Sequence, residues 1–444
     1  MTNRYTVRKE YFGGLLYDFE EDAYIAVDKK FYDALKHILI HGSVECLSKS
    51  QYDMFCKEGI LKDGKPSYRI IEKPHTGHNL SSPVRIHFCY TQLCNLNCRH
   101  CFTKQQKTAE ELSFDMKVNM LDELSELGIS EILVGGGEPF MKMDFISFIK
   151  ECNRRDINIK VFTNGLLFDR DIVDELSRTK IKYLSVSVDG TTDDEYDAIR
   201  GVKGLNTIKN NIALLKEKCS FPICISITIN RYNYRKAEEY LKLACQMNID
   251  RIKVRPTKPG GNVLLNRNIY PSPEQYLQFI CAIQKIWNEQ YADKLRLDYS
   301  WGDTRLKYDE KKDQMVVINN PFPYEGYGCF AGKGSMVIRA DGGTSPCGFL
   351  PEKMQICKSD NIKEKGIKEI WDSGLKFNAL RGWLGNEKCR NCQYYAVCRG
   401  GCIARTLYAK KMVMEPDPWC LAKYFPARIQ DYITGREYDT GSSD

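Results

Sequence analysis

The sequence contains no run of five or more Lys or Arg, although 65 Lys and Arg against 58 Asp and Glu give it a formal charge of +7. A basic excess spread so thinly offers no continuous track for a polyanion, which points away from nucleic acid and from anionic membrane surfaces. No apolar stretch approaches the roughly 20 residues that cross a bilayer. Met1–Glu10 is polar and charged and lacks the apolar centre of an export signal. These absences predict a chain that enters no membrane and works in the cytosol. Hydrophobic residues at 43% and charged residues at 28% argue against long disorder. The 444 residues then suffice for two to four domains of roughly 100–200 residues each.

What the sequence does have is 19 Cys. A reducing compartment does not favour structural disulfides, and cysteines at short fixed spacings in such a compartment more often hold metal. Nine of them, Cys46, Cys56, Cys89, Cys152, Cys219, Cys224, Cys245, Cys281 and Cys357, lie outside any tight group and read as structural thiols. The remainder form two groups.

Residues 1–72 read as a small α+β unit. Short strands are expected at Tyr5–Lys9, Gly13–Asp18, Ala23–Val27 and Tyr68–Ile71, with helices from Asp28 to His41 and over Ser48–Gly59. This is a winged-helix-like pattern. Residues 73–83 form a linker by composition. From residue 84 to 256 a strand–helix rhythm repeats six times, with strands at Val84–Tyr90, Glu131–Val134, Asn158–Thr163, Tyr183–Val188, Ile223–Ile229 and Arg251–Arg255. Single helices between strands imply parallel pairing with right-handed crossovers, hence an α/β fold closing into a full or partial barrel. A bridging region at 257–324 leads to a Cys-rich segment at 325–425 and a tail at 426–444.

The first cysteine group, Cys94-Asn-Leu-Asn-Cys98-Arg-His-Cys101, follows the first barrel strand directly. Three thiolates on one short loop can hold three irons of a cubane and leave the fourth iron open, whereas a cluster that only carries electrons usually takes four Cys. A zinc site is the competing reading, although no fourth ligand stands nearby. Reacting groups in a parallel barrel gather at the C-terminal strand ends. There the sequence places this loop, Gly135-Gly136-Gly137-Glu138-Pro139, Thr163-Asn164-Gly165, Ser187-Val188-Asp189-Gly190, Thr228-Ile229-Asn230 and Arg255-Pro256. Each also has a plain reading as turn chemistry.

The C-x3-C-x2-C loop followed by GGEP on the second strand resembles the radical S-adenosylmethionine (SAM) superfamily, over roughly residues 84–256. The resemblance implies a partial (β/α)6 radical SAM barrel. It further implies that Cys94, Cys98 and Cys101 ligate a 4Fe–4S cluster whose open iron chelates SAM, the source of a 5′-deoxyadenosyl radical. By the same resemblance Gly136, Gly137 and Glu138 receive the methionine amino group. Ser187 and Asp189 lie near the ribose and carboxylate, Arg200 near the SAM carboxylate, and Thr228 and Asn230 beside the ribose. His100 packs against the adenine, and Asn164 joins the cofactor-binding set. An external one-electron donor of flavodoxin or ferredoxin type is then needed.

The second group runs Cys329, Cys347, Cys389-x2-Cys392-x5-Cys398-x3-Cys402 and Cys420. Asp341-Gly342 reads as a hairpin turn, and Gly400-Gly401 as backbone opened for a bulky cluster. Zinc-ribbon knuckles are the competing reading. The group resembles the SPASM extension, which binds two auxiliary 4Fe–4S clusters and so brings the expected total to three. The resemblance assigns Cys389, Cys392, Cys398 and Cys420 to one cluster and Cys329, Cys347 and Cys402 to the other. The latter is completed by an open iron, a non-Cys ligand or Cys357, since Pro323–Gly328 supplies no eighth Cys.

Residues 1–72 resemble the precursor-peptide recognition unit of SPASM enzymes that modify ribosomally made peptides, with a leader peptide adding to a sheet edge. A DNA-binding winged helix competes, but its would-be helices carry few basic residues. The expected function is a radical SAM maturase that installs a carbon–carbon or thioether cross-link in a precursor peptide. A formylglycine-generating sulfatase activator is the alternative enzyme, and a non-catalytic iron–sulfur carrier or scaffold the alternative of another class. The general base is not assignable from sequence.

Overall fold

The computed structural model describes residues 3–75, 77, 79–103, 110–299, 306–309, 314–317, 329–350, 360–383, 385–392, 395–410 and 415–420. Cys357, the 323–328 stretch and the 426–444 tail lie outside them.

The N-terminal unit is built on β1 (Tyr5–Glu10), β2 (Gly13–Asp18), β3 (Ala23–Asp28), α1 (Lys29–His41), α2 (Lys49–Lys57), the small hairpin β4 (Leu61–Lys62) and β5 (Lys65–Pro66), and β6 (Tyr68–Ile71). Its main sheet has the order β3-β2-β1-β6. Asp28 caps α1 by accepting from Phe31 N, and Ser48 with Gln51 closes a capping box on α2, so both helix starts are written locally. Tyr5, Val7, Leu16, Tyr32, Leu35, Ile38 and Phe55 bury between sheet and helices, each such aliphatic or aromatic side chain contributing about 1.5–3 kcal/mol. β3 is a sheet edge, with Ile25 44% exposed.

The barrel follows as β7 (Arg85–Thr91), α3 (Phe114–Glu126), β8 (Glu131–Gly136), α4 (Phe145–Arg154), β9 (Asn158–Thr163), α5 (Arg170–Ser177), β10 (Tyr183–Ser187), α6 (Asp193–Arg200), α7 (Leu205–Lys218), β11 (Ile223–Ile229), α8 (Ala237–Gln246) and β12 (Arg251–Pro256). All six strands pair in parallel and in sequence order. After α9 (Pro273–Gln290), β13 (Arg296–Tyr299) adds beyond β12; β14 (Leu306–Asp309) and β15 (Gln314–Val317) form a separate hairpin. β16 (Ser335–Ile338) adds in parallel to β7 and turns back as β17 (Thr344–Ser345). The sheet runs β13-β12-β11-β10-β9-β8-β7-β16-β17 and its two edges do not pair with each other, so the barrel is open. The last helices are α10 (Ile367–Ser373), α11 (Leu375–Arg381), α12 (Tyr395–Cys398) and α13 (Ile403–Lys410).

Alternation divides each barrel strand. Ile86, Phe88, Ile132, Val134, Leu184, Val186, Ile252 and Val254 pack outward under the helices in one continuous core. The opposite residues, among them Arg85, Glu131, Lys160, Tyr183, Ser226, Arg251, Lys253 and Arg255, face the lumen. The N-terminal unit closes the floor of that lumen. Asn158 Nδ2 donates to Tyr17 Oη at 3.0 Å, Lys160 Nζ meets Asp22 at 2.7 Å, and Lys182 Nζ donates to the Phe19 and Glu20 carbonyls. Glu131 accepts from Lys160 and, at 2.6 Å, from Arg85. Burial works to raise this carboxyl, but the two cations outweigh it and hold it well below the usual range.

Candidate active site at the barrel mouth

The cysteine loop leaves β7 at Thr91 and is fixed from three sides. From below, Gly137 N donates to Thr91 O and Glu138 N to Leu93 O (2.8 and 2.7 Å). A Cβ on Gly137 would stand 2.0 Å from Leu93 O, and one on Gly136, at φ +125, would stand 2.5 Å from Thr91 O. The glycines therefore serve close approach to the residues just before Cys94. From one flank, Arg99 N donates to Ile199 O at the end of α6. From the other, Asn262 N donates to Cys101 O and Asn262 Nδ2 donates to Cys98 O, both at 2.8 Å. A Cβ on the neighbouring Gly261, at φ +52, would lie 2.4 Å from Cys101 O.

Cys98 is buried and Cys94 and Cys101 are half-buried. Burial raises the Cys98 thiol to about 11, even with Arg200 favouring the thiolate, and the charges of Cys101 and Cys94 add to the rise, so the three sulfurs share one locale. Arg200 Nη1 lies 3.8 Å from Cys98 Sγ. Among the described residues no three His, Cys, Asp or Glu side chains are placed around one ion. A cubane asks instead for one thiolate per iron, and three grouped thiols without disulfides, backed by a guanidinium, suit it.

Arg200 reaches this position because Gly201, at φ +78, stops α6, whose first turn carries Asp193, Asp194 and Glu195 against the helix dipole. Its Nε and Nη2 hold Asp189 at 2.8 and 2.5 Å. Asp189 is fully buried and also receives His100 Nε2 at 3.1 Å and Thr228 N at 2.7 Å. Burial would raise this carboxyl; Arg200 and then His100 more than reverse it and hold it well below the carboxylate range. Among the described residues His100 Nδ1 is buried without a partner, so one ring nitrogen is committed to Asp189 and the other is available to a ligand. Tyr196 Oη, in the same locale, is likewise buried and unpaired.

Glu138 is fully buried and accepts from Asn164 N (2.6 Å), Thr163 Oγ1 (2.8 Å) and Phe140 N (3.2 Å). Burial still lifts its carboxyl to about 7. Asn164 Nδ2 donates to Asn95 Oδ1 inside the cysteine loop, tying the end of β9 to it. Ser187 ends β10, half-buried. Asn230 is buried, and its side chain serves its own loop through Thr228 O and Tyr232 N. The structure thus brings Cys94, Cys98, Cys101, His100, Glu138, Asn164, Asp189, Arg200 and Thr228 into one connected network. Asn230 is spent on its turn.

In the second region Cys389 feels the charges of Cys420 and Cys392, and Cys398, raised to about 11 by burial, those of Asp417, Cys420 and Cys389. These four sulfurs group together. Cys329 and Cys347 pack with Cys402, and Cys347 Sγ accepts from Phe349 N at 3.4 Å. Buried Asp417 joins the two sets: it accepts from Cys402 N at 2.7 Å and pairs with buried Arg405 at 2.5 Å, three residues before Cys420. Gly400 and Gly401 sit at φ +98 and +84, and Cβ atoms there would strike Asn386 and Asp417 at 2.5 and 2.4 Å, so the turn and these protein contacts themselves call for glycine. Phe102, next to Cys101, stacks on Phe349 with centroids 4.7 Å apart, linking the two cysteine regions.

The sequence reading missed Asn262, Gly261 and Asn95. The Pro, Gly and Asn content of the 256–273 stretch signalled only the end of the barrel; the clue to more was its Gly260-Gly261-Asn262 run.

Comparison with known sequences matches residues 88–253 to the Radical SAM superfamily and residues 329–393 to the SPASM iron–sulfur cluster-binding domain. The AdoMet-dependent heme synthase of Methanosarcina barkeri is 28% identical over 77% of this chain and 97% of its own. The mycofactocin maturase MftC of Mycobacterium tuberculosis is 25% identical over 80% and 87%. Among solved structures, SuiB of Streptococcus suis bound to S-adenosylmethionine shares the fold with a TM-score of 0.72 at 18% identity, covering 94% of this chain and 98% of SuiB.

Proposed function

From a chain that belongs to the radical SAM enzymes and carries a SPASM domain, we propose a peptide maturase that joins two side chains of a ribosomally made precursor through a carbon–carbon or thioether bond. The observation that carries the peptide substrate is the N-terminal unit. It presents β3 as a sheet edge, and the likeness to SuiB, a protein also known bound to its precursor peptide SuiA, extends over 94% of the chain and so includes this unit. A leader adding to that edge supplies backbone hydrogen bonds, with its side chains against α1.

Cys94, Cys98 and Cys101 would hold the SAM cluster, Cys389, Cys392, Cys398 and Cys420 one auxiliary cluster, and Cys329, Cys347 and Cys402 the other, three in all. When bound, the first cluster and SAM supply a one-electron cleavage that generates the hydrogen-abstracting radical, and the auxiliary clusters supply a sink for the electron lost as the new bond closes. The protein's share is positioning. Arg200 offers Nη1 beside Cys98 while Asp189 fixes its plane. His100 Nδ1 and Tyr196 Oη offer unpaired polar atoms to SAM. Glu138, with three donors on its carboxylate, holds the mouth of β8 against β9 and faces the methionine end, and Ser187 and Thr228 line the ribose side. An electron donor of flavodoxin or ferredoxin type in the cytosol completes the reaction. No helix among the described residues is long and apolar enough to cross a membrane.

The test is anaerobic reconstitution with SAM, dithionite and a candidate precursor peptide sought among short reading frames neighbouring the gene. Loss of 2 Da from the peptide with matching 5′-deoxyadenosine supports the reading; an unchanged peptide while SAM is consumed overturns it.

A further inference from the structure

Tyr183 stands on the lumenal wall with a lysine on either side, and the two lysines differ. Lys160 Nζ, 5.7 Å from the ring centre, is compensated by Glu131 and Asp22. Lys253 Nζ lies 3.5 Å over the same ring, in a residue only 4% exposed, and no carboxylate meets it among the described residues. The nearest acid in register, Asp298 on β13, is engaged by Arg251 at 3.2 Å. Two residues on, about 7 Å along the strand, Arg255 faces the same lumen, exposed and without an ion pair among the described residues. Arg255 is in register with Thr228, whose N–H holds Asp189. One wall of the lumen thus carries two uncompensated cations leading up to the candidate SAM site. A lone buried ammonium is costly unless an anion meets it, whereas Lys160, the buried lysine on the other side of Tyr183, has its carboxylates within the protein.

We propose that Lys253 and Arg255 form an anion subsite that takes a carboxylate of the bound peptide next to the residue being modified. The inference deepens the maturase reading and rests on it for the identity of the ligand. Burial, with Arg255 and Arg251 adding to it, lowers the Lys253 ammonium to about 7, so an incoming carboxylate also restores its charge. Ser226, in register with Lys253, adds a hydroxyl at the same level.

The test uses the reconstituted full-length protein and three acetylated tripeptides: tri-glutamate amide, tri-glutamine amide and tri-glutamine free acid. Binding is read by calorimetry at low salt. A charge-assisted contact in a desolvated site gives about tenfold or more in affinity. Tri-glutamate amide binding at least about tenfold more tightly than tri-glutamine amide assigns a side-chain carboxylate; the same preference shown by the free acid assigns a C-terminal one. In either case Lys253→Met and Arg255→Gln each remove most of the preference, and Lys253→Arg keeps it. Lys253→Met removes a lone buried charge, so it folds with an unchanged or higher Tm. Equal binding of all three probes, or a preference that survives both substitutions, overturns the proposal. The readout needs no turnover: carboxylate binding without peptide modification would sink the maturase reading alone, and modification without carboxylate preference the subsite alone.

Discussion

Arg200 faces two groups at once, clasping buried Asp189 through Nε and Nη2 while its Nη1 stands 3.8 Å from Cys98 Sγ. The carboxylate fixes the guanidinium plane, and the guanidinium favours the thiolate of a cysteine that burial nonetheless raises to about 11.

Removing Arg200 strands Asp189 in the interior with only His100 Nε2 and Thr228 N as partners among the described residues. Arg200→Met is expected to destabilise the protein by about 3–5 kcal/mol, and Arg200→Lys to recover little because one ammonium cannot replace a guanidinium that meets Asp189 Oδ2 through two nitrogens and Cys98 through the third. In a double-mutant cycle with Asp189→Asn the two losses are strongly non-additive. Urea denaturation of all four proteins checks this; additive losses would contradict it.

Gly137→Ala places a methyl 2.0 Å from the Leu93 carbonyl, a backbone atom that cannot swing aside. The cysteine loop must shift, and the expected result is about four fewer irons per chain, with the auxiliary sites retained. Iron analysis beside the wild type measures it.

Asn262→Ala removes the side-chain clamp on Cys98 O and leaves that carbonyl only the longer bond from Cys101 N at 3.2 Å. The expectation is a loss of about 0.5–1.5 kcal/mol, a shifted potential of the SAM cluster and unaltered auxiliary potentials. Redox titration followed by electron paramagnetic resonance separates the three.

Lys253 makes stability depend on pH in a definite direction. Its folded value, about 7, lies below the unfolded 10.5, so between those values the unfolded chain binds the extra proton and stability rises with pH. Its surroundings are Arg251 and Arg255 on its own strand and Tyr183, Cys224 and Asp298 on β10, β11 and β13. Lys253→Met is expected to exceed the wild type by on the order of 2–4 kcal/mol at pH 7, a gap that narrows by pH 9.5. A pH-independent gap would contradict the assignment.

The strands and both cysteine motifs were legible because period-2 alternation, Gly and Asp punctuation and fixed spacings are local. The hairpin β4–β5 also had its signal, Asp63-Gly64, with both residues at positive φ (51° and 72°), and went unread between α2 and β6. β16 and β17 were marked by the Asp341-Gly342 hairpin turn, but the pairing of β16 with β7, about 250 residues away, was not legible, nor was β13 beside β12, about 45 residues away. The same holds for the site. His100 and Asp189 were each marked by a motif, but that one holds the other depends on α6 returning Arg200 to the cysteine loop. Asn262 carries no motif at all. The lumenal row Arg251, Lys253 and Arg255 was visible as alternation; only the structure shows that Asp298 satisfies one of the three.

The floor contacts also govern how leader binding is tested. Deleting residues 1–72 would uncover Lys160, Asn158 and Lys182, so lost activity would not isolate recognition. Ile25→Asp on the exposed edge strand leaves the floor intact. It is expected to weaken precursor binding about tenfold or more without changing peptide-independent 5′-deoxyadenosine formation.

The central claim is that three thiolates at the mouth leave one iron corner open to SAM, and 5′-deoxyadenosine formed from SAM and dithionite measures it most directly. The account predicts steady formation by the reconstituted wild type and none by the Cys94→Ala/Cys98→Ala/Cys101→Ala variant with its auxiliary iron intact. Undiminished formation by that variant would contradict it.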